Sequence, residues 1–100
     1  MHRIYKIVMF TPIGARYGTI TMTIENDEVT GFMDILNQRN VITGRASPDG
    51  SCIITGNLTT PYRDFSYVAS GTLSSRQIHL TLSYGSYKYR ISGDIEEERL

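Results

Sequence analysis

One hundred residues are expected to form one domain, and ten basic residues against ten acidic ones give a formal net charge of zero, so no global field favours DNA or RNA as a partner. Cys52 is the single cysteine, which excludes a disulfide framework and a cysteine-rich metal cluster and fits a reducing, cytoplasmic setting. The opening MHRIYKIVMF lacks the apolar run of a secretory signal, and no stretch reaches the length of a membrane span, so no membrane association is expected.

The dominant period along the chain is two, the mark of half-buried strands. Residues 3–10 form the first predicted strand, and the proline of TPIGA ends it. Residues 16–25 follow, with Gly18, Ile20, Met22 and Ile24 on one face and Thr19, Thr21 and Thr23 on the other. Asn26–Asp27 makes a two-residue hairpin into residues 28–36. Within that stretch GFMDILNQR also fits a helical turn, with Phe32, Ile35 and Leu36 on one side. As a strand it turns Met33 and Ile35 inward and leaves Phe32 and Leu36 outward. The strand is favoured; a helix there would make a partly open five-stranded barrel the fold.

Residues 41–46 form the next predicted strand, ended by SPDG, whose proline and glycine suit a type I turn closed by a positive φ. Residues 51–59 turn Cys52, Ile54, Gly56 and Leu58 inward. After the loop TTPYR, residues 64–73 turn in Phe65, Tyr67, Ala69, Gly71 and Leu73. Residues 76–84 turn in Ile78, Leu80, Leu82 and Tyr84, and Gly85–Ser86 reads as a II′ hairpin. Residues 87–95 turn in Tyr87, Tyr89, Ile91, Gly93 and Ile95. Residues 96–100 read as an acidic C-terminal tail, leaving 1–95 as a single β-barrel domain. Short connections make neighbours antiparallel, and a meander of about eight strands removes its exposed edges by closing. The expected fold class is all-β, a small antiparallel up-and-down barrel.

A tripeptide recurs: VTG at Val29–Gly31, ITG at Ile42–Gly44 and Ile54–Gly56, ASG at Ala69–Gly71 and ISG at Ile91–Gly93. Each glycine shares the parity of its strand's apolar set, so glycine points in and Thr or Ser points out. A glycine inside a strand costs roughly 0.5–1 kcal/mol relative to Ala, which implies a steric need: a sharp bend or a close approach of opposite walls. Four of the five lie toward the end carrying the Asn26–Asp27 turn, so a barrel pinched at that lower end is expected.

The stretch TPIG…GTITMTIENDEVTG resembles small bacterial calycin-like (lipocalin-like) domains, in which Thr-Pro-Met-Gly precedes Gly-Thr-Leu-Thr-Leu and an Asp-Gly-Asp turn leads into a strand ending in Ser/Thr-Gly. The resemblance runs from Tyr5 to Asp94. It implies a small antiparallel barrel, alone or appended to enzymes, with no settled activity. ENDE stands where the family has its Asp-Gly turn, and TPYRDF where a second Thr-Pro-Met-Gly would be. A more distant likeness is to lipocalin-like regulators of secretion systems, which act by binding a partner protein.

No residue pattern points to an enzyme or a cofactor. His2 is terminal, His79 alternates outward, and neither has the neighbours of a metal site. Cys52 shares an inward face with Ile54 and reads as a small buried apolar group. Asp34 and Asp64 are the one candidate carboxylate pair, near the upper end. The upper loops hold Arg16, Arg39, Arg63 and Tyr62, with Tyr84 and Tyr87 flanking the last turn. The lower end is acidic: Glu25, Asp27, Glu28, Asp49, Asp94 and Glu96 to Glu98. Arginine suits carboxylate or phosphate recognition, and barrel ligands enter at the mouth. The expectation is a non-enzymatic binding module whose basic, aromatic upper rim takes an anionic or apolar small molecule or an acidic protein surface. Arg16, Arg39 and Arg63 would supply charge, Tyr62, Tyr84 and Tyr87 aromatic flanks, and Tyr67 and Tyr89 would line the interior. The alternative is a filled barrel that forms a homodimer through Phe32, Leu36 and Val68.

Overall fold

The computed structural model describes residues 1–59 and 64–99. Eight strands follow one another: β1 (His2–Thr11), β2 (Gly14–Glu25), β3 (Glu28–Ile35), β4 (Gln38–Ala46), β5 (Ser51–Thr59), β6 (Asp64–Leu73), β7 (Gln77–Tyr84) and β8 (Tyr87–Arg99). Each pairs antiparallel with the next, and β8 returns to β1 to close the barrel. The all-β, up-and-down architecture is the one the alternating pattern predicts.

Two hairpins are held by paired positive φ angles, as a two-residue I′ turn requires. Asn26 and Asp27 sit at 52° and 65°, and Leu36 and Asn37 at 56° and 60°. The second pair decides GFMDILNQR: it is strand, turn and strand, with no helix. Leucine in the left-handed region is uncommon, so the turn was hidden from propensity. β4 accordingly begins at Gln38, ahead of the expected residue 41.

The acidic tail is a second correction, since residues 96–99 continue β8. A bulge between Ile4 and Tyr5 lets Ile4 face Glu97 and Tyr5 face Ile95. Barrel closure supplies β1 as partner and Arg3 as counter-charge: Arg3 Nε donates to Glu98 Oε2 at 2.7 Å. Arg3 Nη1 also reaches the Tyr5 phenol oxygen at 3.3 Å, and that phenol donates to the Ser74 carbonyl at 2.5 Å. This chain of bonds ties β1, β8 and the β6–β7 turn together at the lower end.

Inward residues form one contiguous core, from Tyr5, Ile7 and Met9 through Ile20, Met22, Ile42 and Ile54 to Leu80, Leu82 and Ile91. Each large aliphatic side chain so buried is worth about 1.5–3 kcal/mol. One polar device interrupts it. The buried Tyr67 phenol donates to Asn40 Oδ1 at 2.7 Å, and Asn40 Nδ2 donates to the Met33 carbonyl at 3.1 Å. Tyr67 finds room because Gly56, its cross-strand partner, has no Cβ to meet the ring. Burial pushes the Tyr67 phenol well above its ordinary pKa, so it stays a protonated donor.

The glycines confirm their inward parity but correct their expected purpose. A Cβ on Gly31 would fall on the Thr21 carbonyl, on Gly44 on the Ile53 carbonyl and on Gly71 on the His79 carbonyl. Each clash is with the backbone of the adjacent strand, so the glycines permit coiling of neighbours rather than approach of opposite walls.

Substituting Gly44→Ala introduces such a clash at a position without positive φ. The expected loss is about 2 kcal/mol or more, seen as a fall of roughly 8 °C or more in melting temperature, while Thr43→Ala next to it, which gives up only its cross-strand threonine contacts, costs about 1 kcal/mol or less. Tyr67→Phe orphans Asn40 Oδ1 and is expected to cost about 1–3 kcal/mol in chemical denaturation.

Candidate functional site

Among the described residues, the upper end of the barrel is built from the β1–β2, β3–β4 and β7–β8 turns. Tyr62 and Arg63, two of the expected rim residues, lie outside the described residues. The mouth between those turns is a cavity of 390 Å³, within the range typical of small-molecule sites. Met9, Leu58 and Leu82 form its floor, Phe65 and Tyr89 its walls, and Pro12, Ile13 and Leu36 its lip. Ile13 is 80 % exposed although it crowns an apolar opening. Arg16 and Thr11 supply the polar lining.

Arg16 pairs with the inward Met9 and shares the parity of Gly18 and Ile20, so strand alternation itself carries its cation to the mouth. Its Nη1 donates to the Ala15 carbonyl at 3.1 Å. Among the described residues it forms no ion pair, unlike Arg3, Lys6, Arg39 and Arg99. An arginine fork keeps further donors for an incoming anion under these conditions.

Arg39 has the opposite parity and does not join the mouth. It lies on the outer wall, where its Nε and Nη2 meet the two Asp34 carboxylate oxygens at 2.8 and 3.2 Å. Its guanidinium carbon sits 4.0 Å from the Phe32 ring centroid. Asp34 strengthens the hold of Arg39 on its proton. This fork also occupies Asp34, and Asp64 lies three strands away on β6, so the expected carboxylate pair is not assembled.

The tyrosines divide by depth. Tyr84 and Phe65 meet at a ring distance of 4.1 Å, and Tyr84 stacks on the exposed Tyr87 at 5.7 Å, making an aromatic rim beside the mouth. Tyr89 lines the cavity itself, whereas Tyr67 is sunk in the core and held by Asn40. The expected homodimer patch also comes apart. Phe32 is capped by Arg39, Leu36 belongs to the lip of the mouth, and Val68 alone stays on the open wall. Sequence reasoning passed over Ile13, Pro12 and Met9 as site residues; the signal was the apolar Ile13 inside an otherwise polar TPIGA loop.

Other polar groups serve the wall. His79 Nδ1 lies 3.0 Å from Ser92 Oγ, its Nε2 lies 3.3 Å from Gln77 Oε1, and Gln77 Nε2 donates to Asp94 Oδ1 at 3.4 Å. These are cross-strand neighbours on the exposed face of β7 and β8. His2 Nδ1 lies 3.3 Å from Thr23 Oγ1. Among the described residues no three His, Cys, Asp or Glu side chains gather around a metal position. Among the described residues no helix is long and apolar enough to cross a membrane.

Compared with family models, curated proteins and solved structures, the chain finds no match in any of the three. The eight-stranded closed barrel agrees with the fold that the calycin-like resemblance implies.

Cys52 is buried toward the lower end, beside the β4–β5 turn, and desolvation pushes its thiol up to about 11. At pH 8 the thiolate is therefore scarce and sterically shielded. A thiol reagent such as dithionitrobenzoate is expected to label native protein at least tenfold more slowly than the same chain in denaturant, followed by absorbance.

Proposed function

We propose that the barrel is a calycin-like, non-enzymatic binding module whose upper mouth takes a small amphipathic molecule, its apolar body on Met9, Leu58, Leu82 and Phe65 and its anionic head on Arg16. The observation that carries this reading is Arg16, an inward-facing cation without an acidic partner among the described residues, at the edge of an apolar opening. A free guanidinium beside an apolar wall favours a carboxylate or sulfonate attached to hydrocarbon over a purely ionic ligand, because both parts of such a molecule find a complement. The lip of Pro12, Ile13 and Leu36 adds apolar surface that water solvates poorly. The Tyr84–Tyr87 stack borders the same end and offers an aromatic flank.

Two probes test the reading: anilinonaphthalene sulfonate, followed by fluorescence, and decanoate, followed by titration calorimetry. Both are expected to bind, and Arg16→Ala is expected to weaken them roughly 10- to 100-fold, the range of a lost charge-assisted hydrogen bond. Arg39→Ala, on the outer wall, leaves binding unchanged. Equal effects of the two substitutions, or no binding of either probe, would overturn the mouth as the site.

A further inference from the structure

The charged side chains are unevenly spread around the barrel wall. β1 presents Lys6 outward, β3 presents Glu28 and Asp34, β4 presents Arg39 and Arg45, and β8 presents Lys88, Arg90 and Asp94. By contrast, the outward positions from Ser51 to Thr59 on β5, Ser66 to Thr72 on β6 and Gln77 to Ser83 on β7 hold no Lys, Arg, Asp or Glu. These three strands are adjacent, so the neutral positions form one panel. β2 is sparsely charged as well, but it lies between the charged faces of β1 and β3.

The panel has relief. Ile53 and Val68 stand on it at 47 % and 42 % exposure, and Val41 borders it at 71 %. β4 and β5 pair only from Ile42–Gly56 down to Ala46–Cys52. Above that point they part, and the Gln38 side-chain amide bridges to the Thr59 backbone, accepting from Thr59 N at 3.1 Å and donating to Thr59 O. The parting opens a groove of 480 Å³ between Val41 and Val68 with Gly56 at its floor.

We propose that this β5–β6–β7 panel is the contact face for a second copy of the chain, packed as a two-fold dimer. Charge selects that occupant. Depletion of charged residues is the compositional mark of an interface core. In a two-fold contact the same patch meets itself, so any charge near the axis meets its own copy. The neutral panel avoids that repulsion, whereas a strongly charged partner would be desolvated against it without a counter-charge. Along the paired ladders closure leaves no strand edge to extend, and where β4 and β5 part the Gln38 side chain takes the Thr59 backbone groups, so association runs face to face. Three of eight strands present roughly a third of the wall, and the 6196 Å² of total surface therefore holds the ~800 Å² per partner of a standard interface. The upper mouth lies at the barrel end and stays open in such a dimer, so this proposal stands apart from ligand binding.

Sedimentation equilibrium of the whole chain over a wide concentration range tests it. The wild type is expected to pass from monomer to dimer, and Ile53→Lys and Val68→Lys each to raise the dimer dissociation constant at least tenfold. Thr55→Lys repeats the test at an exposed panel position without removing an apolar side chain. Tyr17→Lys, on β2 opposite β6 and 78 % exposed, leaves the constant unchanged. Thermal melts by circular dichroism establish that each variant is folded. A wild type that stays monomeric at every concentration, or a dimer disrupted by Tyr17→Lys and untouched by all three panel variants, overturns the proposal.

Discussion

Contact between neighbouring backbones governs this barrel. Eight strands close into a wall only if each coils strongly against the next. At Gly31, Gly44 and Gly71 the coiling brings a carbonyl of the adjacent strand into the space a Cβ would need. No rotamer change relieves a clash between a Cβ and a main-chain oxygen, so these positions admit glycine alone. The residues before them follow from the same geometry. Thr30, Thr43 and Thr55 stand directly opposite one another on three successive strands, and cross-strand threonine pairs add their own increments of stability. The recurring tripeptide is thus a unit of construction: an apolar residue in, a hydroxyl out, and a glycine where the neighbouring backbone or, at Gly56, the Tyr67 ring leaves no room for a Cβ.

The two ends of the closed wall differ in chemistry. At the lower end Arg3, Glu98, Tyr5 and the Ser74 carbonyl form a continuous hydrogen-bonded chain. These bonds fix the end of β8 against β1 and the β6–β7 turn. The upper end has an apolar opening with Arg16 at its edge. A buried ion pair needs its partner to offset desolvation, and Arg3 has one. Arg16 is only half-buried and retains solvent, which is the state in which an arginine can exchange water for a ligand anion at low cost.

The wall is a second surface with its own logic. Gln38 stands in for a missing pair of backbone bonds where β4 and β5 part, so the barrel remains closed while its outer face becomes concave. Tyr67 and Asn40 fill the inside of the same region. One local departure from regular pairing therefore shapes both the core and the groove beside Val41 and Val68. The neutrality of the neighbouring strands gives that concave region a character distinct from the charged wall across the barrel.

Much of the fold was legible because alternation and turn chemistry are local. Period two placed the inward faces of β2 and β5 to β8, Asn26–Asp27 and Gly85–Ser86 marked their hairpins, and short connections implied the meander. Leu36–Asn37 was not legible, since leucine carries no turn signal and only the surrounding ladder holds it at positive φ. The site was read in part. Arg16 was placed correctly at the upper end, but Arg39 was assigned beside it although parity turns Arg39 outward onto Asp34 and Phe32. The acidic run at the C-terminus looked like a solvated tail because its partner Arg3 lies 95 residues away. The sequence by itself determined strand number, hairpin order and which faces are apolar, because those depend on neighbours along the chain. Closure and register decided the rest: which cation keeps a free fork, where Arg3 meets Glu98 and where β4 and β5 part, because these depend on contacts between side chains and strands that the local pattern does not encode.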